Sequence, residues 1–411
     1  MLNKNNEREL AYVVIVDDIT PIKGYDRVEL AHVGGWTIVV GKGEFGKGSP
    51  AIYFEIDSKL PEVEPFTNME FLAKKHYKIK TQKMCKSISQ GLLMSAKNFG
   101  WDIGENPAYG VYIVDGNRER HYVDDESRFL TKQLGVTYAV PEDNSRKSNK
   151  PVNKYDKMSK RHGKLFSKMP FRWLMRREWG RKLLFVFFGK KRDSRGFPSW
   201  VVKTDEERIQ NCSWILSDKE PFIATEKIDG TSTTFTLKRG TGLFANDEFY
   251  VCSRNVCFDK PDATCFYDKN VYIEMAEKYG IESKMRKLLH DEFTDCEWIT
   301  IQGETYGTGI QKRDYSINEH NFMAFNFITS QDGRWNTLEM RDLLEKEYGI
   351  PCVPVVDESY ILPDTVDELL KYATGASVID GKMREGIVFR SLDGKKSFKA
   401  VSNEYLLEFH Q

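Results

Sequence analysis

Ala224-Thr225-Glu226-Lys227-Ile228-Asp229-Gly230-Thr231-Ser232 carries the residues that decide the fold. The apolar lead-in Pro221-Phe222-Ile223 reads as the entry of a buried strand. After the glycine, residues 233–238 are Thr-rich and alternate, so a second strand follows. Lys227 and Asp229 are two apart and share a face of extended backbone. Gly230 lets the chain turn or approach a ligand closely. An amine and a carboxylate on one face, beside backbone open to a phosphate, suit covalent chemistry on a nucleotide. A salt-bridged lysine in a turn would use the same residues, so the surroundings decide.

The 411 residues are enough for two domains and a linker. Hydrophobic content of 40% and charged content of 30% are ordinary for a soluble protein. Seven cysteines, at 85, 212, 252, 257, 265, 296 and 352, are scattered with no CxxC pair. That pattern fits reduced thiols in a cytoplasmic protein, not a disulfide framework or a zinc site. The opening Met1-Leu2-Asn3-Lys4-Asn5-Asn6 lacks the apolar core of a secretory signal, and no apolar run reaches membrane-spanning length. The net charge is zero but unevenly placed: residues 146–195 hold 18 Lys and Arg against 3 Asp and Glu. Such asymmetry points to a polyanionic partner, most simply nucleic acid.

Residues 1–142 read as a β-barrel domain. Runs of β-branched and aromatic residues at 11–18, 36–40 and 51–56 are separated by Gly-rich turns, and 78–81 and 90–94 continue the pattern. Gly41-Lys42-Gly43-Glu44-Phe45-Gly46-Lys47 imitates a P-loop. Gly48 stands where Ser or Thr would meet Mg²⁺, and the run joins two strands, so it reads as a turn. Residues 143–195 form a basic linker and an amphipathic segment. That segment is expected to dock on the catalytic domain, with RNA contact or a membrane surface as the other options.

From residue 196 the texture changes. Thr204 and Glu207 make a capping box, which predicts a short helix carrying Arg208. A strand at 248–252 ends in Ser253-Arg254-Asn255, and 270–289 has a helical pattern. A strand at 298–303 ends in Glu304, and 322–328 is an aromatic strand. Helices follow at 337–348, stopped by Gly349 and Pro351, and at 365–372. The last strands are 385–390 and 397–401.

Collected in order, the polar strand-end residues are Lys227, Asp229, Arg254, Glu304, Glu385 and Lys399, with Phe325 on the aromatic strand. This order resembles the motifs of the ATP-dependent RNA ligases, relatives of DNA ligases and capping enzymes that share the Lys-x-Asp-Gly signature. The closest likeness is to the branch in which an OB-fold module precedes the transferase domain, and Asp26 to Trp36 with Tyr53 to Asp57 looks like such a module. The strings that carry the resemblance are 203–211, 226–230, Gly303-Glu304-Thr305-Tyr306-Gly307, 384–388 and 397–403. It runs over 11–407 and weakens over 118–196. It implies an α+β chain: an OB-like β-barrel domain in 1–142, then a nucleotidyltransferase domain of antiparallel sheets flanked by helices in 196–411.

The resemblance also implies roles. Lys227 attacks the α-phosphate of ATP and becomes lysyl-AMP, for which its amine must lose a proton; nearby cations favour that loss. Glu226, Asp229, Gly230, Arg254, Glu304, Phe325, Glu385 and Lys399 surround the nucleotide. Among them Glu304 accepts from a ribose hydroxyl, and Phe325 stacks on adenine, with Phe327 on the same strand face. Lys399 is the second catalytic lysine, offsetting charge on the phosphates. Asp229 and Glu385 hold waters of a bound Mg²⁺ or Mn²⁺. Arg208, Gln210 and Arg254 contact RNA. The sequence departs from the family in two places. Ser397 and Val401 flank Lys399 where a Lys-x-Lys pair is usual, leaving Lys395 or Lys396 as the candidate second cation, and Asn326 stands where Asp is common. The implied partner is RNA with 5′-phosphate and 3′-hydroxyl ends, bound by a monomer without a membrane.

Capping and DNA-joining enzymes usually carry an OB domain after the transferase domain, whereas 12 residues follow Lys399 here. A non-catalytic RNA-binding protein on a ligase scaffold would bind RNA in a salt-sensitive way without nucleotide-dependent joining. The basic linker is expected to guide RNA. Neutralising Lys147, Lys150, Lys154 and Lys157 together should weaken RNA affinity in a low-salt titration, and unchanged affinity would contradict that role.

Overall fold

The structure, a computed structural model, describes residues 1, 3, 8–106, 110–114, 120–122, 128–139, 168, 171–179, 184, 194–241, 245–258, 263, 265–267 and 269–409. The linker lysines Lys147, Lys150, Lys154 and Lys157 lie outside them, as does most of the amphipathic segment. The chain forms two compact units, one of 1–140, 202–231 and 303–411, the other of 141–201 and 232–302.

In the larger unit, short antiparallel strands build the N-terminal OB fold. Ala11–Ile15, Pro50–Phe54 and Leu92–Met94 form one sheet, and Asp18–Pro21, Val28–Val33 and Trp36–Gly41 another. Alternation places Trp36, Ile38 and Val40 inward, against Tyr53, Phe54 and Phe66. The P-loop imitation is a turn between Trp36–Gly41 and Pro50–Phe54, closed by Glu44 accepting from the Gly41 amide at 3.1 Å. The seven cysteines are free thiols.

The catalytic part of this unit is a five-stranded sheet ordered Glu207–Arg208, Ser397–Val401, Gly386–Ser391, Pro221–Lys227, Val355–Ile361. Its core joins Phe222, Ala224, Ile387, Phe389 and Phe398 to helix Val366–Ala373, capped by the Thr365 side chain. Strand Val355–Ile361 and helix Asn403–Phe409 carried no clear sequence signal. The capping box does not open a helix. Glu207–Arg208 instead pairs in parallel with Phe398–Lys399, and Ile209–Asn211 is a single 3₁₀ turn. The Glu207 carboxylate, which in a capping box would reach back to the Thr204 amide, accepts from Asn211 Nδ2 (2.7 Å).

Those residues are held to the barrel. Glu55 is fully buried and accepts from the Met1 ammonium (3.0 Å), Arg8 Nε (3.1 Å) and Asn211 Nδ2 (2.5 Å). Asn211 Oδ1 accepts from Trp36 Nε1 (2.6 Å) and the Tyr12 hydroxyl (3.2 Å). The Gly34–Gly35 turn receives Gln210: a Cβ on Gly35 would stand 2.6 Å from Gln210 Cα, so only glycine permits the approach. Val401 and Leu406 complete the barrel's own core.

The smaller unit carries strands Ser194–Gly196, Val256–Phe258, Glu248–Ser253 and Thr231–Lys238 in that order. Trp200 packs on Tyr250 and Trp298 within it. The helix expected over 270–289 is two, Val271–Lys278 and Ile281–Lys287, because Gly280 adopts a left-handed φ of 59° between them. The helix expected over 337–348, in the larger unit, changes from α over Thr337–Arg341 to π over Asp342–Glu347.

Burial opposes the charge of Glu55, but Arg8, the N-terminus and the Asn211 amide outweigh it and hold its pKa at about 2. A carboxylate depressed in the folded state stabilises fully above its unfolded value. That contribution, on the order of 3 kcal/mol, is lost as pH falls from about 4.5 toward about 2. Glu55→Gln should cost roughly 3–5 kcal/mol by stranding buried cations, and should flatten the acid limb of a melting-temperature profile. A wild-type acid limb in the variant would contradict this role for Glu55.

Candidate active site

Lys227 ends its strand with 24% of its side chain open, and its Nζ lies 2.6 Å from Glu385 Oε2. Glu385 immediately precedes the neighbouring strand, whose Gly386 pairs with Lys227. Burial pushes the amine toward its neutral form, but Glu385, Glu304 and Asp229 outweigh it and raise the pKa. The lysine therefore rests as an ammonium ion among these carboxylates, and Lys399, one of the cations expected from the sequence, is close enough to couple to it.

Asp229 lies beyond the strand end and is buried. Its Oδ2 accepts from the Tyr405 hydroxyl at 2.7 Å, and its amide donates to the Tyr315 hydroxyl at 2.6 Å. Burial, then the Asp229 and Glu385 carboxylates, push the Tyr405 phenol far above its ordinary range. Tyr405 thus stays protonated and donates. Gly230 abuts the strand end carrying Glu304: a Cβ there would fall 2.3 Å from Thr305 O and 2.9 Å from Glu304 Cγ. Gln311 Nε2 donates to Gly230 O at 2.9 Å.

Strand alternation turns Glu226 to the other face, where it accepts from Ser377 Oγ (2.5 Å) and Val378 N (2.7 Å). Its carboxylate fastens the 374–385 loop behind the lysine. Phe325 is half-buried beside Ile228, Tyr306, Tyr315 and Val353, leaving part of its ring open. Phe327 is fully buried and packs edge to face with Trp335 at 5.4 Å, so the two phenylalanines are not equivalent. Asn326 faces inward and donates to Thr204 Oγ1 at 3.1 Å.

Lys399 Nζ pairs with Asp205 Oδ1 at 2.9 Å. Burial lowers its pKa; Asp205 opposes this, while Arg8, Arg208 and Lys227 lower it further. Val401, one of the two positions that flank Lys399 at the Lys-x-Lys spacing, is packed into the barrel core. Neither proposed substitute reaches the site. Lys395 pairs with Asp393 on an exposed turn, and Lys396 with Asp218, at the far end of the hairpin from Gly386 and Val401.

Arg208 is buried, with Nη2 3.2 Å from Asp57 Oδ2, and Gln210 is buried against the Gly34–Gly35 turn. Both therefore brace the barrel in this structure. Arg254 stands on the exposed turn of the smaller unit, after strand Glu248–Ser253. Tyr315, Tyr405, Gln311 and Ser377 were not named from the sequence. Only Tyr405 had a signal nearby, two residues past the 397–403 string.

Among the described residues no group of three or more His, Cys, Asp or Glu is gathered closely enough to cage an ion. Asp229 and Glu385 nonetheless fit a hydrated hard cation, which needs oxygen acceptors for its waters more than direct ligands.

The sheet, with a lysine and two carboxylates gathered at its strand ends, has the arrangement of the nucleotidyltransferase class. Residues 220–401 match the RNA ligase family, and 10–96 match an OB-fold domain family. The chain thus carries an N-terminal OB-fold domain followed by an RNA ligase domain. Among solved structures it is similar to an RNA ligase of Naegleria gruberi. A variant with AMP and Mn has TM-score 0.68 and 25% identity, covering 97% of this chain and 98% of that chain. The same enzyme with pyrophosphate has TM-score 0.68 and 26% identity, over 97% and 98% of the two chains. A further variant with ATP and Mn matches equally, with TM-score 0.68 and 26% identity over 97% and 98%. No curated protein gives a significant match. Among the described residues no helix is long and apolar enough to cross a membrane.

Tyr405→Phe keeps the ring stacked on Phe409 at 4.6 Å but removes the donor to Asp229. The expected loss is about 1–2 kcal/mol, roughly 5- to 30-fold in the rate of lysine adenylylation, with little change in melting temperature. An unchanged rate would show that Asp229 needs no such support.

Proposed function

We propose that the protein is an ATP-dependent RNA ligase that joins 3′-hydroxyl and 5′-phosphate ends in three nucleotidyl transfers, with a role in RNA repair. In the first, Lys227 Nζ attacks the α-phosphorus of ATP: a P–N bond forms, the bond to pyrophosphate breaks, and pyrophosphate leaves. In the second, a 5′-phosphate oxygen of RNA attacks the lysyl-AMP phosphorus and returns the electron pair to the lysine nitrogen. In the third, a 3′-hydroxyl attacks the activated 5′-phosphate, a phosphodiester forms, and AMP leaves.

The observation that carries this reading is the Lys227–Glu385 pair at the mouth of the Lys-x-Asp-Gly turn. Glu385 and Asp229 are placed to hold a Mg²⁺ or Mn²⁺ through its waters; when bound, the ion supplies positive charge beside the amine and the α-phosphate. Glu385 orients Lys227 before reaction and holds its proton nearby. Tyr405 and Tyr315 fix Asp229. Glu304 offers an acceptor to the ribose, and the open side of Phe325 offers an adenine stack. Lys399, paired with Asp205, is the cation that offsets phosphate charge. The Naegleria structures with ATP, AMP, Mn and pyrophosphate support the same substrates here. The reading includes a monomer acting in the cytoplasm, away from membranes.

Incubation with α-labelled ATP and Mg²⁺ or Mn²⁺ should leave protein-bound label in wild type and none in Lys227→Ala. Because the resting lysine is protonated with a raised pKa, labelling should quicken as pH rises from about 6 to 9. Equal labelling of both proteins would refute the assignment, and labelling by GTP in place of ATP would favour capping.

A further inference from the structure

The OB domain contains a second concentration of charge. Residues 71–101 include seven lysines, at 74, 75, 78, 80, 83, 86 and 97, and no Asp or Glu. Four ammonium groups come together in space: Lys75, Lys78 and Lys80 of the barrel, and Lys312 of the catalytic part. Burial, then repulsion from Lys312, Lys78 and Lys75, lowers the pKa of Lys80, and Asp57 opposes this. Asp57 is itself taken up by Arg208 Nη2 at 3.2 Å and Arg8 Nη2 at 3.8 Å. Lys75 and Lys312 are exposed and Lys78 is half-exposed, so the cluster faces solvent.

Two hydrogen-bonded routes tie this cluster to the reacting lysine. Lys80 leads into strand Thr81–Met84, which pairs with Ser87–Gln90 and packs on helix Asn403–Phe409. Gln90 Nε2 donates to Asn403 Oδ1 at 3.0 Å, and Tyr405 of that helix holds Asp229. On the other side, Lys312 follows Gln311, which holds Gly230 O. It precedes Arg313, locked to Asp380 at 2.7 Å in a buried pair. The cluster is thus mounted on the supports of the Lys-x-Asp-Gly turn. The barrel face with Tyr12 and Trp36 is closed by Asn211 and offers no alternative there.

We propose that Lys75, Lys78, Lys80 and Lys312 form a track for the RNA sugar-phosphate backbone, leading an RNA end to Lys227. The track binds phosphates without reading bases, since point-charge ammonium groups carry no base information. This rests on the ligase reading for the identity of the polyanion. An uncoded backbone track serves a ligase, which must accept ends of any sequence.

The test uses the full chain with Lys75, Lys78, Lys80 and Lys312 all changed to Ala, and a control with Lys278, Lys287, Lys346 and Lys371 changed to Ala. Binding of a 5′-phosphorylated single-stranded RNA is measured by anisotropy across a salt series, with melting temperature as the check on folding. The track variant should bind at least about tenfold more weakly at moderate salt. Its slope of log affinity against log salt should shrink by about 2–3, from roughly 0.7 per lost phosphate contact. The control should keep both values. Unchanged affinity and slope in the track variant, or equal losses in the control, would overturn the proposal. So would unchanged RNA affinity with lost binding to phosphatidylserine vesicles. Wild-type labelling by ATP, which needs no RNA, separately reports whether the ligase reading itself fails.

Discussion

A half-buried lysine paired with a buried carboxylate is the constraint around which the catalytic part is arranged. Lys227 and Glu385 meet at 2.6 Å because their strands are hydrogen-bonded neighbours that end together. Burial alone would favour the neutral, reactive amine. Three carboxylates reverse that and keep the group charged. A ligase gains from the arrangement: the nucleophile is positioned at rest but becomes active only when its surroundings change. A hydrated cation and a triphosphate supply such a change, since one draws on Glu385 and the other brings the electrophile. Both tyrosines on Asp229 are pushed well above their ordinary range: Tyr405 stays protonated and donates to the carboxylate, while the Tyr315 hydroxyl accepts from the Asp229 amide.

The OB domain contributes to this constraint from behind. Glu55, charged and fully buried, gathers the chain's first residue, Arg8 and Asn211. Asn211 in turn fixes Glu207–Arg208, whose parallel pairing sets the strand of Lys399. Val401 and Leu406 belong to the barrel core although they lie in the ligase domain. At one of the two positions where a second lysine could flank Lys399, the chain thus carries a side chain that joins the two modules.

Much of this was legible in the sequence, and the exceptions share a cause. The nucleophile strand, the aromatic strand and the 365–372 helix followed from period and capping, which are local. Lys227, Asp229, Glu304 and Glu385 could be listed from strand ends. Their mutual charge balance could not, because it depends on which strands are neighbours. The capping box at Thr204 failed for the same reason: a parallel partner 190 or so residues away outweighed a propensity worth about 1 kcal/mol. Arg208 and Gln210 were read as RNA contacts from their string, whereas here their side chains pack into the barrel contact. Tyr405 gave no pattern that separates a core ring from a hydroxyl aimed at a carboxylate.

The central claim is that one amine, at position 227, becomes bonded to AMP. Peptide mapping by mass spectrometry, after brief incubation with ATP and a divalent cation, locates the adduct directly. The account predicts a single modified peptide, containing Lys227, with the added mass of one AMP residue. An adduct on Lys399, or on any other lysine while Lys227 stays unmodified, would contradict it.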